Sequence, residues 1–138
     1  MVAFHHPQKI LFRHCDPAGI VFYPRYFEMI NDTVEAWFDQ GLGYSFEEIH
    51  GLGKAAVPTA RIETTFKAPS KHGDHLIITL SATRLGRSSL DLSFEAKAGE
   101  EVRFSASSTL VYVNDTGRPV SWPDHLRAAI EKHLDLSN

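Results

Sequence analysis

The chain has little cysteine, no long apolar run and no excess of positive charge. Cys15 is the only cysteine among 138 residues, so an internal disulfide and a zinc site built from cysteines are both excluded. No window approaches the roughly 18 consecutive apolar residues of a membrane-spanning helix. The formal net charge of −3 argues against nucleic-acid binding, which normally needs a basic excess. We therefore expect neither a nucleic-acid partner nor a membrane partner.

Targeting and repeat signals are also lacking. Residues 1–8 show no basic region followed by an apolar core, so no signal peptide is predicted and the expected location is cytoplasmic. The sequence contains no internal repeat, linker or low-complexity tract. At this length, residues 1–138 are expected to form one domain.

Apolar side chains at helical spacing predict three helices, over 26–40, 45–50 and 123–136. Pro24 lies where helices commonly begin, and Gly41 and Gly43 are expected to close the first helix. Ser45 and Glu48 form the pattern of a capping box at the start of the second helix. The first helix carries a wide apolar stripe and is expected to be largely buried.

Strands are predicted over 8–13, 56–67, 76–85, 88–98 and 102–113, with Pro7 bounding the first and a hairpin tip at 98–101. Four of them follow one another through short turns, which favours an antiparallel sheet. A helix that is apolar nearly all round must be covered on several sides. The simplest arrangement is an α+β fold in which the sheet wraps around the first helix.

One carboxylate, Asp16, stands at the end of an apolar segment and before a turn. Pro17 restricts the residue before it to extended geometry, and Gly19 allows backbone angles and close approach that a side chain would block. An acid beside a helix start suits acyl-transfer chemistry, because the helix N-terminus offers free N–H donors and a partial positive charge. The alternative is an ordinary turn, since Asp-Pro is a common turn pair.

The run from Asp16 to Tyr26 reads Asp-Pro-Ala-Gly-Ile-Val-Phe-Tyr-Pro-Arg-Tyr. It resembles the signature of the 4-hydroxybenzoyl-CoA thioesterase family of hotdog-fold acyl-CoA thioesterases. The resemblance implies a curved antiparallel sheet of about five strands wrapped around a long central helix. It also implies a homodimer or homotetramer with active sites at the subunit interface, and thioester hydrolysis without a metal or another cofactor.

The resemblance assigns roles within this run. Asp16 is implied to be the catalytic carboxylate, and the backbone N–H of Tyr23 to point at the thioester oxygen. Gly19 and Tyr26 are expected beside the substrate. Whether Asp16 attacks the carbonyl or deprotonates a water is left open by the sequence.

Asn31 is expected to line the acyl pocket from the first helix, where the 4-hydroxybenzoyl enzymes are expected to carry an acid. That departure puts a 4-hydroxybenzoyl substrate in doubt, and the alternative is a solvated polar residue. A second group of substrate-binding residues is expected where a partner subunit would complete the pocket; it consists of Pro58, Thr59, Ala60 and Arg61.

Arg84, Arg87 and Ser88 lie at a junction between two predicted strands. The resemblance implies that this segment holds the coenzyme A phosphates, for which arginine is well suited. An ordinary solvated turn is the alternative. Leu85 and Gly86 stand where the resemblance implies more basic residues, so the phosphate contacts are expected to be weaker.

The expected function is hydrolysis of an acyl-CoA thioester, with an aromatic, benzoyl-like acyl group as the first choice. Alternatives are a non-catalytic binder of acyl-CoA or acyl-carrier protein, a short-chain acyl-CoA thioesterase, or a small-molecule-binding α+β domain. A dehydratase of the same fold would need a histidine motif that the sequence lacks. Cys15 and His14 are interpreted as structural, and the remaining histidines as surface residues without metal-ligand spacing.

Overall fold

The computed structural model describes residues 3–135, which form a five-stranded sheet and its helices. The strands are β1 (Phe4–Lys9), β2 (Thr59–Phe66), β3 (His75–Leu85), β4 (Ser89–Ala98) and β5 (Glu101–Val111). The α-helices are α1 (Pro24–Ala36), α2 (Phe46–His50) and α3 (Asp124–Glu131). A 3₁₀ turn spans Phe12–His14, and a π-helical segment spans Trp37–Leu42.

The sheet has the order β1-β3-β4-β5-β2, and every neighbouring pair is antiparallel. Consecutive strands β3, β4 and β5 are joined by short turns, as the sequence predicted. β2 crosses over to pair with β5, so β1 and β2 form the two edges. The α+β class and the antiparallel sheet expected from the sequence are confirmed.

One face of the sheet builds the core with α1. Strand side chains point alternately to opposite faces, so Leu76, Ile78 and Leu80 of β3 are buried while their neighbours are partly exposed. Met29 and Ile30 of α1 belong to the same buried cluster. This packing fixes α1, and therefore its N-terminus, against the sheet.

Within one chain α1 is buried on one side only, so the prediction of a largely buried helix is wrong for its outer face. That face is polar and exposed; it carries Glu28, Asn31, Asp32 and Glu35. The sheet covers the opposite side, which includes Tyr26 and Val34. The helix then continues as the π-helical segment, which includes Gly41, and ends at Gly43 with φ of 80°.

The first strand lies earlier than predicted, at Phe4–Lys9 instead of 8–13. Pro7 lies inside it, paired with Ile77, which a sheet tolerates because β1 is an edge strand. After β1 the chain enters the 3₁₀ turn. A hydrogen bond from the N–H of Leu11 to His14 Nδ1, at 2.8 Å, stabilises this turn.

The remaining elements follow the prediction, with bounds that differ by a few residues. The capping box is confirmed, because Ser45 Oγ accepts from Glu48 N at 3.2 Å. α3 ends at Glu131, and the predicted helix end at Leu136 lies outside the described residues. None of the helices within 3–135 combines the length and the apolar character that crossing a membrane requires.

Candidate active site

A tight hairpin brings Asp16 back toward the start of α1. The N–H of Asp16 donates to Ile20 O and the N–H of Gly19 donates to Asp16 O, both at 2.9 Å. Gly19 has a φ of 81°, in the left-handed region that glycine enters without steric cost. Cys15 and Val21 form the next bridge of the hairpin. The chain therefore returns beside Asp16 just before the helix begins.

The Asp16 carboxylate is half-buried and held by one local hydrogen bond. Its Oδ1 accepts from Ala18 N at 2.9 Å. Among the described residues, no hydrogen bond uses Oδ2. The turn thus orients the side chain through one oxygen and leaves the other without a hydrogen bond among the described residues.

The N-terminus of α1 leaves one backbone donor free at this place. Pro24 is the first helical residue and has no N–H. The N–H of Arg25 donates to Phe22 O at 2.9 Å, and that of Tyr26 to Tyr23 O at 3.0 Å. Within residues 3–135, the Tyr23 N–H has no hydrogen-bond acceptor. It is therefore the available donor at the positive end of the helix dipole.

Asp16, Tyr23 and Tyr26 line one open cleft of about 670 Å³. Its other walls are mostly apolar; they come from Ile20, Val21, Phe22, Phe66, Ala68 and Pro69, with Lys67 as a cation. The ring of Phe66 lies 5.7 Å from that of Tyr23 and 5.8 Å from that of Tyr26. The structure thus brings Asp16 and Tyr23, the residues predicted to supply the acid and the backbone donor, to one aromatic cleft.

The cleft wall formed by residues 66–69 was missed by the sequence reasoning. This segment begins at Phe66, the last residue of β2, and the residue after it is paired with the hairpin, because Val21 N donates to Ser70 O at 2.9 Å. Ser70 is fully buried and its Oγ accepts from the Tyr26 hydroxyl at 2.9 Å. Burial raises the pKa of Tyr26, so the phenol remains a donor at neutral pH. A Pro-Ser pair after a strand gives no sequence signal of this contact.

Asn31 does not line the Asp16 cleft in the single chain. It lies on the exposed face of α1 in a separate polar groove, whose walls include Arg13, Arg25 and Phe27. Arg25 in that groove pairs with Glu28 at 3.1 Å.

The predicted group on β2 is also away from the Asp16 cleft. Pro58, Thr59, Ala60 and Arg61 are all exposed, and the register with β5 shifts between Thr59 and Arg61. Arg61 forms a surface ion pair with Glu63 at 2.9 Å. These residues are open for contact with another molecule.

Arg84 lies near the end of β3, and Arg87 and Ser88 lie in the turn between β3 and β4. Arg84 and Arg87 are exposed, and Arg87 Nη1 donates to Ser121 Oγ at 2.8 Å. The turn is anchored from α3, because Arg127 Nη2 donates to Gly86 O at 2.6 Å. The segment does not line the Asp16 cleft in one chain, and its fixed backbone presents two arginine side chains to solvent.

His14 and Cys15 are packed within the fold, in agreement with their interpretation as structural residues. His14 is buried, and its Nδ1 accepts from Leu11 N while its carbonyl accepts from Phe22 N at 3.0 Å. Cys15 is a free, partly buried thiol packed against the core. Within the described part of the chain, no three side chains of His, Cys, Asp or Glu gather as metal ligands.

Acid should destabilise the fold through His14. Burial, with a smaller effect of Arg13, lowers the pKa of His14 below its ordinary 6.5. The unfolded chain then binds more protons, so the contribution is complete above about pH 6.5 and is lost as the pH falls toward the folded-state pKa. His14→Asn keeps an acceptor near the Nδ1 position without a titrating ring. We expect the loss in free energy of unfolding between pH 7.5 and 5.5 to be smaller in this variant, measured by urea denaturation.

The same comparison has a built-in control. Burial also lowers the pKa of His6, so the wild type and the variant should share that part of the acid effect. Parallel stability curves for the two proteins would contradict the assignment to His14.

Comparison with known proteins agrees with this fold. The family model described as the thioesterase-like superfamily matches residues 10–130. The chain is 23% identical, over 113 residues, to a 1,4-dihydroxy-2-naphthoyl-CoA hydrolase of Synechocystis sp., covering 82% of this chain and 81% of that protein.

Two solved structures are similar over nearly their whole lengths. A thioesterase superfamily protein from Jannaschia sp. CCS1 has a TM-score of 0.89 and 26% identity, covering 96% of this chain and 94% of that one. A gentisyl-coenzyme A thioesterase has a TM-score of 0.82 and 26% identity, covering 93% of this chain and 99% of that one.

These findings confirm the hotdog thioesterase fold that the sequence predicted. The relatives are named as hydrolases or thioesterases of CoA thioesters, which is the class of enzyme expected. The family match is broader than the 4-hydroxybenzoyl-CoA group that the Asp16–Tyr26 run resembles. From its matched residues and its fold, the chain belongs to the thioesterase-like superfamily.

Proposed function

We propose that this chain hydrolyses aromatic acyl-CoA thioesters to the free acid and coenzyme A. One observation carries the proposal: Asp16, which has one unpaired carboxylate oxygen, and Tyr23, which has an unpaired backbone N–H, line the same aromatic cleft. The acid supplies the reactive group, and the helix N-terminus supplies the donor that a thioester carbonyl needs. Family membership supports acyl-CoA hydrolysis in general, and the residue roles and the acyl class are our proposal.

The aromatic acyl group is favoured by the walls of the cleft. Phe22, Tyr23 and Phe66 are roughly half exposed, although side chains of this size are usually more buried. Their rings offer faces and edges on which a flat aromatic group can pack. The named substrates of two relatives, a dihydroxynaphthoyl and a gentisyl thioester, are also aromatic.

In the proposed reaction the thioester oxygen accepts a hydrogen bond from the Tyr23 N–H. Attack on the carbonyl carbon moves the π electrons onto that oxygen, and the N–H together with the helix dipole stabilises the tetrahedral oxyanion. Collapse of the intermediate breaks the C–S bond and releases coenzyme A as a thiolate, which then takes up a proton. Such a donor is typically worth about 3 kcal/mol in the transition state.

Asp16 can serve in either of two ways. As a nucleophile it forms a mixed anhydride with the acyl group, and water then hydrolyses the anhydride and frees Asp16. As a general base it takes a proton from the attacking water. In both cases the unpaired Oδ2 is the reacting atom, because Oδ1 is held by Ala18 N.

We also propose that the active protein is a homodimer or a homotetramer. The support is exposed apolar surface next to the cleft, where Phe66 and Ile62 of the edge strand β2 are 45% and 37% exposed. A second copy would cover this surface and bring Pro58–Arg61 toward the pocket. The mass in solution tests this: a value of 15.5 kDa for the active protein would contradict it.

Arg84, Arg87 and Ser88 are our proposed contacts for the coenzyme A phosphates. They are supported by two exposed arginines, Arg84 at the end of β3 and Arg87 on the following turn, which Arg127 anchors. Because this turn does not line the Asp16 cleft of its own chain, we place the contact on the active site of a neighbouring subunit. Asn31 is likewise proposed to contact the substrate only in the assembled oligomer.

The proposed substrate class predicts an order of rates. The test is a thiol-release assay with acetyl-, palmitoyl-, benzoyl- and hydroxybenzoyl-CoA. We expect kcat/KM for the aromatic thioesters to be at least about 10-fold higher than for acetyl-CoA. A larger acyl group buries more apolar surface, and burial of a few methylene equivalents is worth that much. Faster hydrolysis of acetyl-CoA would indicate a short-chain enzyme instead. Binding of acyl-CoA without release of thiol would indicate a non-catalytic module and would contradict the proposal.

A further inference from the structure

We infer that Arg103 is a positioning residue for the reaction, acting through the segment 67–70 that holds the Asp16 hairpin and forms one wall of the cleft. Arg103 lies on β5 and does not line the cleft. The inference rests on the proposed role of Asp16, and it adds a residue that neither the sequence motif nor the family match singles out.

The Arg103 side chain gathers three oxygen atoms with one nitrogen. Its Nη1 donates to Asp74 Oδ2 at 2.7 Å, to Pro69 O at 3.1 Å and to Ser70 Oγ at 3.2 Å. The side chain is 13% exposed, so these contacts are shielded from most of the solvent. A charge-assisted hydrogen bond of this kind is stronger than a neutral one.

The Arg103 backbone holds the same segment from its other end. Its carbonyl accepts from Lys67 N at 2.9 Å and from Ala68 N at 3.2 Å. Main chain and side chain of one residue therefore fix residues 67–70 along their whole length. Three of these residues, Lys67, Ala68 and Pro69, line the cleft.

Ser70 connects the segment 67–70 to both parts of the site, the Asp16 hairpin and the start of α1. Its carbonyl accepts from Val21 N, and Ile20 forms a bridge with Lys71, so the returning strand of the Asp16 hairpin is paired with this segment. Its hydroxyl accepts from the phenol of Tyr26, one helical turn into α1. The position of the acid relative to the helix N-terminus thus depends on where Ser70 is held.

Asp74 fixes the direction of the guanidinium. Hydrogen bonds from Lys71 N and from Arg103 lower the pKa of Asp74, so the carboxylate stays charged across the neutral range. Glu101 adds a second ion pair, with its Oε1 2.7 Å from Arg103 Nε. Lysine at position 103 would keep the charge, but it has one nitrogen where arginine uses two, Nη1 for Asp74, Pro69 and Ser70 and Nε for Glu101, so it cannot keep both sets of contacts.

The test compares Arg103→Lys in two backgrounds. In the wild-type background we expect kcat for benzoyl-CoA to fall by about 10- to 100-fold with KM changed less than about 3-fold, since small displacements of reacting groups cost this much. In the Asp16→Asn background the same change should lower the residual rate by less than about 2-fold, because a carboxylate that is absent cannot be misplaced. Arg118→Lys, on an exposed loop, is the matched control and should leave kcat unchanged in both backgrounds.

The outcomes separate the two proposals. Equal fold losses in both backgrounds, or an unchanged kcat in the wild-type background, would overturn the positioning role of Arg103. Wild-type turnover by Asp16→Asn alone would instead overturn the proposed function. If Arg103→Lys does not fold, Asp74→Asn, which weakens the same ion pair while keeping Arg103, enters the same cycle with the same expected pattern.

Discussion

Asp16→Asn is expected to lower kcat for aromatic acyl-CoA by about 1,000-fold while leaving the fold intact. A positioned general base contributes typically 10²- to 10⁴-fold, and an amide can neither take up the proton nor form the anhydride. The fold should persist because the Asn side-chain oxygen can still accept the hydrogen bond from Ala18 N. Thiol release under saturating substrate gives kcat, and thermal unfolding by circular dichroism checks the fold.

A matched acid on another surface controls for loss of charge. Asp39 is exposed on the π-helical segment and borders a different groove. Asp39→Asn removes the same charge, and we expect kcat to stay within about 2-fold of the wild type, as for an ordinary surface change. A drop of similar size in both variants, or wild-type turnover by Asp16→Asn, would contradict the role of Asp16.

Tyr23→Pro should lower kcat by about 100- to 1,000-fold, the usual cost of losing one oxyanion donor. Proline removes the backbone N–H and nothing else from the main chain. Its ring fixes φ near −65°, and the observed φ of Tyr23 is −53°, so the helix start is compatible with it. Since the Tyr23 N–H has no acceptor among the described residues, no structural hydrogen bond is lost.

Tyr23→Ala is the control for the side chain. It removes the ring, which is 57% exposed, and keeps the N–H. We expect this variant to raise KM for an aromatic substrate and to retain kcat within about 10-fold, as for loss of binding contact. If Tyr23→Ala and Tyr23→Pro lose kcat equally, the loss belongs to the side chain and the backbone donor has no role.

Local patterns were enough to predict most of the fold. Period-two alternation identified β3, β4 and β5, and the Ser45–Glu48 spacing identified the start of α2. The first strand was misplaced because Pro7 was taken as a boundary, although an edge strand accommodates proline. Which strands are edges is a property of the whole sheet and cannot be read from a local pattern.

The two sides of the cleft also differed in how far the sequence could predict them. Asp16 and Tyr23 are seven residues apart along one recognisable run, and the structure places both on one cleft. The opposite wall at Phe66–Pro69 and its support by Arg103 come from distant parts of the chain. Nothing near Arg103 in the sequence marks it, because Pro69, Ser70 and Asp74 become its neighbours only when β2 and β5 pair.

The burial of α1 shows which surface a single chain leaves uncovered. The sequence stripe predicted a helix covered on several sides, yet its outer face with Glu28 and Asn31 is exposed. The sheet of a single chain reaches only one side of the helix. Geometry within one chain does not bring Asn31, Arg61 and Arg87 to Asp16, so their proposed contacts require a second copy.

The most direct test is the rate of thiol release in a single turnover, with enzyme in excess over benzoyl-CoA, for wild type and Asp16→Asn. Enzyme in excess isolates the chemical step from product release. We predict that the rate constant at saturating enzyme falls by about 1,000-fold in the variant, while the enzyme concentration giving half-saturation stays within about 3-fold. Equal single-turnover rate constants for the two proteins would contradict hydrolysis by Asp16 at the N-terminus of α1.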